Sequence, residues 1–132
     1  MIVVDANVVV HYAIPGPRTP LAERVREADP DWHAPLLWRS EVRNVLAGLA
    51  RRGDMDLALA VEVMGAAQGM LGGREYEVDS AAVLQRAVRS GCTAYDCEYV
   101  VLAEQLGVHL VTADRQILRA FPGTAVALED FG

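Results

Sequence analysis

This 132-residue sequence predicts an α/β fold with a mostly parallel central sheet flanked by helices. Three features carry that expectation. The chain opens on a β-branched run, Ile2-Val-Val4, of the kind buried on both faces in the middle of a parallel sheet. Short apolar runs then alternate with longer helical patterns along the whole chain, as strand–helix–strand units do. Two of the runs also end alike, in an aspartate followed by a helix: Asp5 after the first, and Asp114 after His109–Thr112. No internal repeat, low-complexity stretch or linker breaks the pattern, so residues 1–132 are expected to form one domain.

Residues 2–5 read as the first strand. Asn7 to Ala13 continues as a short helix, broken by Pro15-Gly-Pro17. Thr19 as cap and Pro20 in the first turn open a second helix that runs to about Ala28. Asp29-Pro-Asp31 is a turn, and Trp32–Ala34 a short strand. A longer helix spans Leu36 to Arg52 and stops at Gly53. Asp54 is placed to cap the next one, Met55 to Leu71, which ends in Gly72-Gly73. Glu75–Val78 alternates as a strand does. Ser80 caps a helix through Arg89, ended by Gly91. Thr93 opens another, which reaches Leu106 and stops at Gly107. His109–Thr112 is a strand, Asp114–Phe121 a helix and Thr124–Leu128 the last strand.

At 52% hydrophobic and 23% charged, the composition is that of a globular chain. No secretory signal is visible, because Asp5 interrupts the first apolar run, and this favours the cytoplasm. The most apolar long stretch, Met55–Leu71, is broken by Glu62 and Gln68, so no membrane span is expected. Cys92 and Cys97 are too few for a disulfide framework, lack zinc-site spacing, and are expected as buried thiols. The net charge of −6 argues against a simple nucleic-acid binder with a basic surface. All 12 basic residues are arginine; there is no lysine.

In open α/β sheets, ligands bind beyond the carboxyl ends of the strands. Asp5 and Asp114 would therefore share one edge of the sheet, and two further acids are candidates to join them. On the helix from Leu36, turning about 100° per residue, Leu37, Trp38, Val42, Val45, Leu46 and Leu49 share an apolar arc. Glu41 projects inside that arc, either as a buried acid needing a partner or as a rim residue reaching water. Arg39 and Arg43 lie on the opposite side. On the helix from Ala94, Tyr95, Tyr99, Leu102 and Leu106 form the core stripe, and Asp96 falls beside it. Asp96 has a plain alternative, since Thr93-Ala-Tyr-Asp96 has the spacing of a capping box. Asp114 has one too, as an N-cap. Four clustered carboxylates would raise one another's pKa values, a conflict that a divalent ion removes. Hard oxygen ligands without Cys or His select Mg²⁺ or Mn²⁺ over Zn²⁺. Such ions activate water and stabilise in-line attack on a phosphodiester. Asn7 and Thr112 are candidates to hold Asp5 and Asp114 by hydrogen bonds, with Asn7 alternatively capping the first helix.

On these residues the sequence resembles the PIN-domain ribonucleases, especially the VapC-like toxins of toxin–antitoxin modules. The resemblance rests on Ile2-Val-Val-Asp5-Ala-Asn7, Ser40-Glu41-Val42-Arg-Asn44, Thr93-Ala-Tyr-Asp96-Cys-Glu-Tyr99-Val-Val-Leu-Ala103 and Leu110-Val-Thr112-Ala-Asp114, in that order across essentially the whole chain. It implies a Rossmann-like sheet, a Mg²⁺- or Mn²⁺-dependent endoribonuclease, commonly a homodimer, and a small antitoxin that blocks the site. By position, Asp5, Glu41, Asp96 and Asp114 match the metal-binding acids, and Asn7 and Thr112 the supporting polar positions.

Two rival functions compete with this one. The Asp5-Ala-Asn7-Val segment also resembles the haloacid-dehalogenase-like phosphatases, but those rely on a lysine that this chain lacks. A catalytically degenerate protein-binding or regulatory domain of the same fold would not be expected to keep all four acids. His11, His33 and His109 are scattered with no acid–base partner evident from spacing, which disfavours a histidine mechanism. Trp32 and Trp38 are expected in the core rather than on bases. Arg18, Arg24 and Arg26 read as surface residues before phosphate contacts. Met55, Leu57, Leu59, Met64, Met70 and Leu71 suit either core burial or a helix-binding face.

Overall fold

The computed structural model describes residues 1–132. Five strands, β1 (Ile2–Val4), β2 (Trp32–Pro35), β3 (Glu75–Tyr76), β4 (Leu110–Thr112) and β5 (Ala125–Ala127), form one sheet in the order β3-β2-β1-β4-β5. Every pairing is parallel. β1 lies at the centre, with Val3 opposite His33 on one side and Leu110 on the other. Both neighbours and both faces exclude water there, which is why three consecutive β-branched residues fit and all three are buried.

Seven helices make the crossovers: α1 (Ala6–Ala13), α2 (Thr19–Ala28), α3 (Leu37–Arg51), α4 (Leu57–Leu71), α5 (Ser80–Ser90), α6 (Ala94–Leu106) and α7 (Arg115–Ala120). α1 packs against α2, α3 and α4, while α5 packs against α6, which lies on β1, β2 and β4. The middle of α6, Tyr99-Val-Val-Leu-Ala103, is buried all round. Burying each such valine or leucine is worth roughly 1.5–3 kcal/mol. Val83, Cys92, Cys97 and Val101 make a small second cluster, in which both thiols are free. Trp32 and Trp38 are fully buried, as expected, and Trp32 Nε1 donates to the Asp29 carbonyl. No helix is long and apolar enough to cross a membrane.

Every predicted element is present, but three predicted caps are displaced. Thr19 is already inside α2, where its hydroxyl accepts from the Gly16 N–H (2.9 Å) and donates to the His11 carbonyl (2.7 Å). It fastens the turn between α1 and α2 rather than capping a helix. Asp54 pairs with Arg52 (3.2 Å), and the residue before α4 is Asp56. Asp79, not Ser80, caps α5 by accepting from the Ala82 N–H (2.9 Å), because Asp79 has the extended backbone of an N-cap and Ser80 is already helical.

Candidate active site

A right-handed strand–helix crossover returns each helix antiparallel to its strands, so helix N-termini gather at the carboxyl edge of the sheet. That edge receives Asp5 and Asp114 from strand ends, Glu41 from the second turn of α3 and Asp96 from the first turn of α6. All four line a single cavity of about 500 Å³, together with Asn7, His11, Ser40, Asn44 and Tyr95. The edge is thus the meeting point the sequence predicts.

Asp5 is held hardest. Its amide still donates to the Val111 carbonyl (3.0 Å), so the backbone remains tied to β4 as the strand ends. Its Oδ1 accepts from the Ala6 N–H (2.8 Å), which caps α1. Its Oδ2 accepts from the Thr112 hydroxyl (2.6 Å) and from Asn7 Nδ2 (3.1 Å). Thr112 Oγ1 in turn accepts from the Asp114 N–H (3.0 Å), and Asn7 Oδ1 from the Ala113 N–H (3.3 Å). Asn7 and Thr112 therefore stitch the ends of β1 and β4 together around Asp5. Asn7 does not cap α1; Asp5 does.

The other acids serve structure and site at once. Asp114 Oδ1 accepts from the Gln116 and Ile117 N–H groups (2.8 and 3.1 Å), capping α7. The Thr93 hydroxyl accepts from the Asp96 N–H (3.0 Å), which seats Asp96 in the first turn of α6. Glu41 sits half-buried at the cavity wall, where its Oε1 accepts from the Tyr99 hydroxyl (2.6 Å). Tyr99 is the partner that Glu41 needs, and the spacing within either helix gives no sign of it. Arg39 is engaged elsewhere, bidentate on Glu75 (2.6 and 2.7 Å).

Electrostatics set this edge apart. Burial, helped by the neighbouring Glu41 and Asp96 charges, pushes the Asp5 carboxyl up to about 7, against the hydrogen bonds from Thr112 and the Ala6 N–H. Burial also raises Glu41 and Asp96, and each is raised again by a neighbouring acid, Asp96 for Glu41 and Asp114 for Asp96. No ion pair touches any of the four. His11 gives no counter-charge, because burial, and then Arg18, lowers its pKa. No three His, Cys, Asp or Glu side chains converge tightly enough to close a metal site by themselves; the four acids instead ring the cavity. Carboxylate oxygens with no cation against them match a hard divalent ion chemically.

Other predicted residues fall elsewhere. Tyr95 leaves the expected core stripe: it is 63% exposed and lines the cavity, because the first turn of α6 has no layer over it. Val45 also leaves its apolar arc for the cavity wall. His33 does have an acid partner, sitting between Asp31 (2.8 Å) and Tyr76 (2.7 Å), but at the amino ends of the strands. Arg18 pairs with Glu129 (2.7 Å), and Arg26 donates to the Pro30 carbonyl (2.8 Å). In α4, Ala60, Met64, Ala67 and Leu71 are buried while Leu57, Leu59 and Val61 are exposed.

The fold is thus a parallel α/β sheet with an acid-lined cavity beyond its carboxyl edge. The chain belongs to the PIN domain family, whose pattern matches residues 2–121. It is 32% identical over 124 residues to Ribonuclease VapC3 of Pyrobaculum aerophilum, a match covering 92% of this chain and 95% of the relative. The crystal structure of PAE2754 from Pyrobaculum aerophilum superposes with a TM-score of 0.77 at 28% identity, over 97% of this chain and 90% of that one. A toxin–antitoxin complex from Klebsiella pneumoniae shares the fold, with a TM-score of 0.67 at 17% identity, over 98% of this chain and 99% of that one.

Proposed function

We propose that residues 1–132 act as one divalent-metal-dependent endoribonuclease, the toxin of a toxin–antitoxin pair, cleaving RNA phosphodiesters. The observation that carries this reading is the set of four acids, drawn from four elements to one cavity with no cation against them. Asp5, Glu41, Asp96 and Asp114 are the residues that would hold Mg²⁺, with Mn²⁺ able to substitute. When bound, the ion supplies Lewis acidity for attack of water on phosphorus. The chain's own residues do the positioning. Thr112 and Asn7 orient Asp5, and Tyr99 orients Glu41. Similarity to a protein named a ribonuclease supports RNA as substrate, and the toxin–antitoxin complex of the same fold supports an antitoxin partner. The exposed apolar residues of α4 suit a partner helix or a second copy in a homodimer. The cytoplasm, where RNA lies, is the proposed compartment.

Cleavage of RNA by wild type, Asp5→Asn and Asp96→Asn, each with Mn²⁺ and with EDTA, tests the proposal. Wild type with Mn²⁺ should cleave internally, and either variant should lose about 100-fold or more in rate. Wild-type cleavage that survives chelation would overturn the metal assignment.

A further inference from the structure

We infer that Tyr95 is a base-stacking platform that fixes single-stranded RNA beside the scissile phosphate, with Ser40 and Asn44 as neutral hydrogen-bonding groups in the same cavity. The inference rests on the endoribonuclease reading above and adds to it how substrate is gripped. It starts from a deficit. The cavity holds four carboxylates, no arginine, and a histidine whose pKa is lowered by burial. A phosphodiester entering it meets no cationic side chain of this chain. Six arginines that might have served are committed elsewhere: Arg18, Arg39, Arg52, Arg74 and Arg86 in ion pairs, and Arg26 on the Pro30 carbonyl. The side chains that line this cavity and remain free for RNA are therefore neutral ones.

Tyr95 is the one Phe, Tyr or Trp side chain lining the cavity, and most of its surface is open to solvent. The aromatic pairs of the fold, Tyr12 with Trp32 and His33 with Tyr76, do not include it, and its hydroxyl makes no hydrogen bond. The ring sits next to Asp96 in the chain, at the second residue of α6, so a base on it would leave its phosphate near the acids. Ser40 and Asn44, one turn apart on α3, line the same cavity, exposed and without side-chain partners. Aromatic stacking is available only to a base freed from a duplex, which makes single-stranded RNA the ligand.

The test uses a single-stranded RNA carrying 2-aminopurine, in Mn²⁺, with Tyr95→Leu and Tyr95→Phe beside wild type. Leucine keeps apolar bulk without a π-face, and thermal melting checks that each variant is folded. Wild type should quench the 2-aminopurine. Tyr95→Leu should lose that quenching and raise Kd and KM by about 10-fold, with kcat changed by less than about twofold. Tyr95→Phe should restore both, and a duplex of the same sequence should not quench. Unchanged KM and quenching in Tyr95→Leu, or a loss confined to kcat, would overturn the platform while leaving the nuclease reading intact. Wild type that quenches and binds without cleaving would overturn the nuclease reading, and with it the placement beside a scissile phosphate, leaving Tyr95 as a stacking site alone. Absence of both would overturn both.

Discussion

The two ends of the sheet carry similar residues and treat them oppositely. At the amino ends of the strands, Asp29 and Asp31 meet the chain's own cations: the N-terminal ammonium lies 2.7 Å from Asp29, and Arg74 3.0 Å from Asp31. Burial works against the Asp31 charge, but His33, the N-terminus and Arg74 together hold its carboxyl below the usual range. At the carboxyl ends, Asp5, Glu41 and Asp96 are all raised, and their partners are neutral: hydroxyls, an amide and backbone N–H groups. Charge balanced within the fold serves structure. Charge left unbalanced is destabilising, and its persistence at one edge supports the proposed metal-holding role of these acids.

The largest expected consequence concerns pH. A carboxyl whose pKa is higher folded than unfolded binds more protons in the folded state, so stability declines as pH rises between the two values. For Asp5 that window runs from 3.8 to about 7, with a slope of at most about 1.4 kcal/mol per pH unit. Glu41 and Asp96 add to it with the same sign, whereas the lowered Asp31 and Glu75 act below their ordinary values, at more acid pH. Urea midpoints in EDTA should therefore fall across this window in wild type and fall less in Asp5→Asn, and Mn²⁺ should flatten the wild-type decline. Equal slopes in the two proteins would erase the contrast between the two ends.

Next come the neutral partners. Thr112→Val removes the 2.6 Å donor to Asp5 and the acceptor for the Asp114 amide. It should destabilise by about 1–3 kcal/mol and slow RNA cleavage about 10- to 100-fold. Tyr99→Phe removes one hydrogen bond to Glu41. A loss of about 1 kcal/mol and about 10-fold in cleavage is expected, and a wild-type rate in this variant would show that Glu41 needs no positioning. The smallest effect belongs to the opposite end. Arg74→Met breaks a half-exposed pair, so denaturation should register under about 1 kcal/mol and cleavage should not change.

Local chemistry made most of the fold legible. The β-branched run of β1, the glycines after α5 and α6 (Gly91 and Gly107, both at positive φ) and the aspartates after β1 and β4 act over a few residues. They show in the sequence where they act. The displaced caps mark the limit of that reading: Asp79 takes the place of Ser80 at α5, while α2 and α4 begin with no side-chain cap at all.

The sequence alone determined the strand–helix alternation, and with it the delivery of Asp5, Glu41, Asp96 and Asp114 to one edge, because backbone periodicity and parallel crossovers leave few other arrangements. Tertiary structure alone decided which groups face those acids. Tyr99 reaches Glu41 across 58 residues and Thr112 reaches Asp5 across 107. Helical phase says which side a residue faces, not what stands opposite. For the same reason the exposure of Tyr95 and the absence of arginine from the cavity lining became visible only once the helices were docked on the sheet.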